Sequence, residues 1–227
     1  MPLPLKFSSL KEARAFADQH TVRLFRAPAA NRATLRLLEF PGEEIGRMVC
    51  KDFFDTPDWY RRSAGRFLIA HEYGAYARLQ GITGIPAVYG RPHPEMMLMQ
   101  FLDGSEDLWK YQPGQLPAVI LEQMREILDA IHSKGVIHLD IGHDSRGDFG
   151  RETNFMWQEE QRQVYLIDPA GALYGVPLLP AVRSALEAHD NLALTKIHDY
   201  FFPDLAWQPP EPLPPWGLKL FRTLKKI

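Results

Sequence analysis

Four polar residues in the second half of this chain stand out by type and order. His138 and Asp140 follow the apolar pair Val136-Ile137, Asn154 precedes Phe155-Met156-Trp157, and Asp168 closes the run Val164-Tyr165-Leu166-Ile167. Each is ordinary alone. A His-x-Asp after a strand is commonly structural, a loop Asn serves turn chemistry, and an Asp at a strand end caps a loop. Their order carries more: a base-like Asp, an amide oxygen, an apolar hairpin, and a second Asp. Phosphoryl transfer from ATP asks for such a set, because its catalysis is positioning plus charge neutralisation. One carboxylate orients the acceptor hydroxyl. The other, with an amide oxygen, suits Mg²⁺, a hard ion that prefers oxygen ligands.

The elements that must position these residues follow from hydrophobic periodicity. Residues 9–19 read as a short helix with Ser8 or Ser9 as N-cap. Three strands are expected over Val22–Arg26, Thr34–Phe40 and Arg47–Phe53, the last two joined at the turn signal Pro41-Gly42-Glu43-Glu44. A helix over 57–80 follows, with Phe67, Leu68, Ala75 and Leu79 as apolar positions. Strands Ala87–Gly90 and Met96–Phe101 come next, separated by the turn-rich RPHPE. After Asp103-Gly104 the pattern becomes helical. Ile120, Leu121, Met124, Ile127, Leu128 and Ile131 fall on one face of a helix over 117–133 that Gly135 ends. Strand pieces Phe155–Trp157 and Val164–Ile167 frame a charged turn, and residues 180–202 read as helix. The expected organisation is a strand-rich part over 1–103, a helical part over 104–202, and a Pro-rich arm with a basic tail over 203–227.

Composition narrows the classes. The 227 residues are 45% hydrophobic and 24% charged, an ordinary globular balance. Cys50 is the only cysteine, which excludes a disulfide framework or a Cys-rich zinc site and points to a reducing compartment. A net charge of −2 supplies no global basic field, so no nucleic-acid partner is expected. The start MPLPLKFSSLKEARAF lacks the apolar stretch of a secretory signal, and no run is long enough to span a bilayer.

On these residues the chain resembles the protein-kinase-like superfamily, and within it the small bacterial kinases that phosphorylate Kdo or heptose in the lipopolysaccharide core. The resemblance covers roughly residues 22–175. Val49-Cys50-Lys51 is similar to the family's Val-Ala-x-Lys, and Glu72 in HEYGAYARL to the glutamate that pairs with that lysine. Met97–Gly104 resembles the strand and hinge where backbone groups of Gln100, Phe101 and Leu102 would meet adenine. Asp140 matches the catalytic-loop aspartate, and Asn154 and Asp168 match the metal ligands. The resemblance implies an α+β, two-lobed fold with a mostly antiparallel β N-lobe and a reduced helical C-lobe. It implies ATP and Mg²⁺ as cofactors, transfer to a hydroxyl of a glycan or glycolipid acceptor, and a cytoplasmic location.

Departures from the family pattern are equally specific. The first two strands are joined by Ala27-Pro28-Ala29-Ala30-Asn31-Arg32-Ala33, with Arg32 a possible phosphate contact in place of a Gly-rich loop. Asp140 and Asn154 are 14 positions apart, so the excess must loop out or His143 or Asp144 takes the place of Asn154. In that loop Arg146 and Arg151 are candidates to meet an anionic glycan. Pro-Ala-Gly follows Asp168 where the family has Phe-Gly, Leu139 replaces an arginine, and no Ala-Pro-Glu follows. These departures fit a small or glycan acceptor better than a peptide. A protein Ser/Thr or small-molecule acceptor, and a pseudokinase acting as a binding module, stay open as alternatives. The tail Trp216–Ile227 segregates Lys219, Arg222, Lys225 and Lys226 from Trp216, Leu220, Phe221, Leu224 and Ile227. That pattern fits either a packed C-terminal helix or an interfacial helix on an anionic membrane.

Overall fold

The structure, a computed structural model, describes residues 5–42, 46–142 and 153–208. The loop residues His143, Asp144, Arg146 and Arg151 and the basic tail 216–227 lie outside the described residues. The chain divides into two compact units, Met1–Gly81 with Pro86–Asp103, and Ile82–Ile85 with Gly104–Ile227. Among the described residues no helix is long and apolar enough to cross a membrane.

The first unit opens with helix α1 (Leu10–His20). Ser9 caps it by accepting the Glu12 N–H at 3.2 Å, and the Glu12 carboxylate accepts the Ser8 N–H at 3.0 Å. These reciprocal bonds satisfy donors that the first helical turn leaves open. Strands β1 (Thr21–Arg26), β2 (Thr34–Glu39) and β3 (Arg47–Asp52) follow, then α2 (Asp58–Tyr60), a π-helical turn Arg61–Gly65, α3 (Arg66–Leu79), β4 (Val88–His93) and β5 (Met96–Gln100). The five strands form one antiparallel sheet in the order β1-β2-β3-β5-β4.

Two elements differ from the sequence expectation. The helix expected over 57–80 runs without a gap from Asp58 to Leu79, but it contains the π-helical turn Arg61–Gly65 between α2 and α3. Its buried stripe is Ile69, Glu72, Ala75, Tyr76 and Leu79, while Phe67 is 67% exposed. Strand β4 runs on through Pro92 and His93, which had read as turn. It tolerates proline because it lies at the sheet edge and is irregular on both sides of Gly90.

Successive side chains of a strand point to opposite faces, and β3 uses both. Met48 and Cys50 join Ala13, Ala17, Leu38, Phe40, Phe54, Met96 and Leu98 in the core that α1 covers. Burial there pushes the Cys50 thiol well up, so it stays protonated and inert. Asp52, on the same face, accepts from Arg36 Nε at 2.7 Å, and Arg36 also reaches Asp18 and Asp55. Lys51 points the other way, toward α3.

The second unit contains β6 (Ser105–Asp107), α4 (Val119–Ser133), β7 (Val136–Ile137), β8 (Phe155–Gln158), β9 (Gln163–Leu166), β10 (Leu173–Tyr174) and α5 (Pro180–Phe201). Helix α4 buries Ile120, Leu121, Met124, Ile127, Leu128 and Ile131, the apolar face read from the sequence. Strands β6-β8-β9 form one antiparallel sheet, and β10 pairs with β7 in another. Gly84 threads between α4 and β9. Its carbonyl accepts the Leu166 N–H at 2.8 Å, and a Cβ there would lie 2.4 Å from Ile127 Cδ1 and 2.7 Å from the Val164 carbonyl oxygen.

Candidate functional site

The candidate residues fall into two sets, one in each unit. In the first, β3 and α3 bring Lys51 and Glu72 together. The Lys51 ammonium lies 2.6 Å from Glu72 Oε2, and the two side chains are only 8% and 2% exposed. Glu72 sits on the buried stripe of α3, between Ile69 and Tyr76. A carboxylate on that stripe is stable only because a cation meets it there.

The other nucleotide candidates lie elsewhere in the same unit. Gln100 ends β5, with its N–H given to the Ala87 carbonyl at 2.8 Å and its side-chain oxygen accepting the Ala87 N–H at 3.0 Å. Its backbone N–H is therefore committed, and Phe101 and Leu102 continue beyond the strand. The Phe101 ring stacks on Phe25 at 5.9 Å and lies under the Arg47 guanidinium. Arg32 is exposed in the β1–β2 connection, where an Ala29–Arg32 bridge makes a tight turn. The Tyr60 hydroxyl donates to the Asn31 carbonyl at 2.8 Å and ties the tip of that turn to α2.

In the second unit, the segment after β7 carries His138 and Asp140. His138 is buried, with Nε2 3.1 Å from the Ile167 carbonyl oxygen. Leu139 takes a left-handed conformation at φ 64°, a strain of about 1–2 kcal/mol for a branched side chain. Asp190 of α5 holds it there. Its Oδ1 accepts the Leu139 N–H at 2.8 Å, and its Oδ2 accepts the His138 N–H at 2.7 Å and meets His132 Nε2 at 3.0 Å. With these bonds made, Asp190 is 1% exposed and Asp140 projects into solvent beside it.

The 14-residue separation of Asp140 and Asn154 is closed at its base. Gly142 bridges Thr153, the Asn154 N–H donates to the Ile141 carbonyl at 3.0 Å, and the Asn154 side-chain amide donates to the Asp140 carbonyl. The β8–β9 register (Phe155 opposite Leu166) then sets Asn154 beside Ile167, whose N–H it accepts at 2.8 Å. Asp168, next in the chain, is left-handed at φ 55° and opens the 3₁₀ turn Pro169–Gly171. Asn154 and Asp168 thus stand at one end of the same hairpin. Among the described residues no three His, Cys, Asp or Glu side chains cluster to hold a metal. An amide and a carboxylate are hard-oxygen donors, and the pair fits Mg²⁺, which keeps waters and phosphate oxygens in the rest of its shell.

Asp190 was not singled out from sequence, though a signal was present. It lies on the apolar face of α5, four residues after Leu186 and four before Leu194, where a charge needs partners.

No protein-family model and no curated protein matches the sequence. Solved structures do. The chain is similar to the crystal structure of the Rio2 kinase from Chaetomium thermophilum, with a TM-score of 0.63 at 13% identity over 95% of this chain and 66% of that one. The fold is protein-kinase-like. The Rio2 kinase–ADP/Mg²⁺–phosphoaspartate complex from the same organism gives 0.60 at 13% identity, over 94% of this chain and 64% of that one. The chain spans just under two thirds of the length of these neighbours, and at this identity the likeness concerns the kinase-like fold alone.

Proposed function

We propose that this protein transfers the γ-phosphoryl group of ATP to a hydroxyl of a lipopolysaccharide inner-core sugar, Kdo or heptose. The observation that carries the phosphotransferase reading is the buried Lys51–Glu72 ion pair on a kinase-like fold. A lysine and glutamate paired in this way position the lysine on the nucleotide phosphates. Lys51 binds phosphate, and Glu72 sets its direction. Arg32 adds charge near the phosphates, and the backbone of Phe101 and Leu102 meets adenine. Asp168 and Asn154 hold Mg²⁺, which neutralises charge on the phosphates when bound. Asp140 accepts the hydroxyl proton of the acceptor, from a segment that Asp190 fixes. The sugar acceptor rests on the family resemblance and on the Pro-Ala-Gly sequence after Asp168, which lacks the Phe-Gly of a regulated switch.

The test is transfer of radiolabel from [γ-³²P]ATP, with Mg²⁺, to a core oligosaccharide bearing Kdo and heptose. Label is expected in the sugar, with Asp140→Asn losing turnover by orders of magnitude while ATP affinity is nearly unchanged. Full turnover in Asp140→Asn would place the base elsewhere. MgATP binding without transfer to any hydroxyl would instead favour a binding module.

A further inference from the structure

The helical stretch after β3 turns an aromatic ridge outward. Trp59 is 73% exposed and Phe67 67%, more than any other Trp, Tyr or Phe among the described residues. In an unbroken α-helix their eight-residue step would set them about 80° apart around the axis. Seven residues nearly complete two α turns, and the π turn Arg61–Gly65, with its i→i+5 bonds, takes up the eighth. Trp59 and Phe67 therefore fall on one line, with the exposed Ser63 between them. On the opposite side Arg61, Gly65 and Ile69 are buried.

The flank of this ridge is basic. Arg62 and Arg66 are exposed beside it. Arg66 lies 2.9 Å from the Glu95 carboxylate and Arg62 3.9 Å from that of Asp58. Arg61 pairs with Asp58 at 2.8 Å and with Glu95 at 2.9 Å. The hydrogen bond from Tyr60 to Asn31 brings the β1–β2 turn, with its exposed Arg32, next to α2. Four arginines thus stand against two carboxylates, and Glu95 is only 1% exposed, so the surface presents positive charge. Two aromatic rings supply about 300–500 Å² of apolar contact. That falls short of the roughly 800 Å² per partner that a stable protein interface buries. A bilayer interface asks for less: the rings enter the headgroup boundary, the arginine stems lie along it, and the guanidinium groups meet lipid phosphates.

We infer that the ridge over α2, the π turn and the start of α3 is a docking surface for an anionic phospholipid bilayer, with Trp59 and Phe67 inserted and Arg62 and Arg66 on the headgroups. None of these four residues has a part in phosphoryl transfer, so the docking stands or falls separately from the kinase reading. It is also separate from the basic tail 216–227, which the test must discount.

The test is sedimentation of the full chain with vesicles of phosphatidylcholine, alone or with about 30% phosphatidylglycerol. Wild type is expected to bind the anionic vesicles and hardly the neutral ones, and to bind less as NaCl rises from about 0.1 M to about 0.5 M. Trp59→Ser/Phe67→Ser should weaken binding by about tenfold or more, and Arg62→Glu by a smaller factor. Urea unfolding midpoints should stay at the wild-type value, because these side chains are exposed. With lipids brominated on the acyl chains, quenching of tryptophan fluorescence should appear in wild type and be mostly lost in Trp59→Phe, which still binds. No binding at millimolar lipid, quenching unchanged in Trp59→Phe, or binding that survives Trp59→Ser/Phe67→Ser and so belongs to the tail or another face would overturn the inference. So would a wild-type dimer that Trp59→Ser/Phe67→Ser dissolves, since the ridge would then pack on a second copy.

Discussion

The Lys51–Glu72 pair offers a way to separate function from stability at one contact. At 2.6 Å and an effective dielectric near 20, its Coulomb attraction is about 6 kcal/mol. Removing each ion from water costs several kcal/mol, so the net stabilisation is small. Lys51→Met strands the Glu72 carboxylate at a 2%-exposed position, and an uncompensated buried charge costs about 3–5 kcal/mol. Lys51→Met/Glu72→Leu replaces both charges with apolar groups. It is expected to recover to within about 1 kcal/mol of wild type or to exceed it, as buried pairs replaced this way often do. Urea unfolding, with the slope checked for constancy, reads both variants. Calorimetry with MgATP supplies the other half, since the double variant should fold well and bind nucleotide poorly. A double variant as unstable as Lys51→Met alone would show that the pair serves the fold, and the reasoning would fail.

Three other perturbations follow from the geometry. Asp190→Ala removes the acceptor of two buried amides, at about 1–3 kcal/mol each, and releases the strained Leu139. Unfolding free energy should drop by about 2–5 kcal/mol, with faster amide exchange at residues 138 and 139; unchanged exchange would contradict the anchoring role. Gly84→Ala forces a Cβ against Ile127 and the Val164 carbonyl at φ 86° and should lower stability by about 2–4 kcal/mol in thermal unfolding, whereas a loss under 1 kcal/mol would mean the neighbours give way. Burial, then Lys196, lowers the His189 pKa against the opposing pull of Asp190 and Asp140, so the unfolded chain takes up this proton first as pH falls. Stability should therefore decline as pH falls from 6.5 toward the depressed folded value, and less steeply in His189→Asn; equal slopes would show that another group controls the decline.

How much of this was legible in the sequence depended on what each residue had to do. The apolar stripe of α4 and the paired runs of β2, β3 and β5 were readable because burial imposes their periods. The β8–β9 hairpin was readable for the same reason, whereas the position of Asn154 across the long loop from Asp140 was left open by the sequence, and it is the register of this hairpin that sets it beside Ile167. Strand β4 was cut short because Pro92 reads as turn unless its place at the sheet edge is known. Strands β6 and β10, three and two residues long, carry no periodicity of their own and exist only through β8 and β7. Glu72 was found through resemblance, yet its position on the buried stripe of α3 is the physical reason it needs Lys51. Asp190 was missed because its partners are backbone amides some fifty residues away, and no local pattern encodes them. The left-handed Leu139 was invisible as well, since leucine rarely takes that conformation unless the surroundings impose it.

The most direct test of the central claim is calorimetric titration of the intact protein with ATP, with and without Mg²⁺, beside the same titration of Asp168→Ala. The account predicts saturable binding below millimolar that requires both the ion and the Asp168 carboxylate. No binding up to millimolar ATP, or binding indifferent to Mg²⁺ and to Asp168, would contradict it.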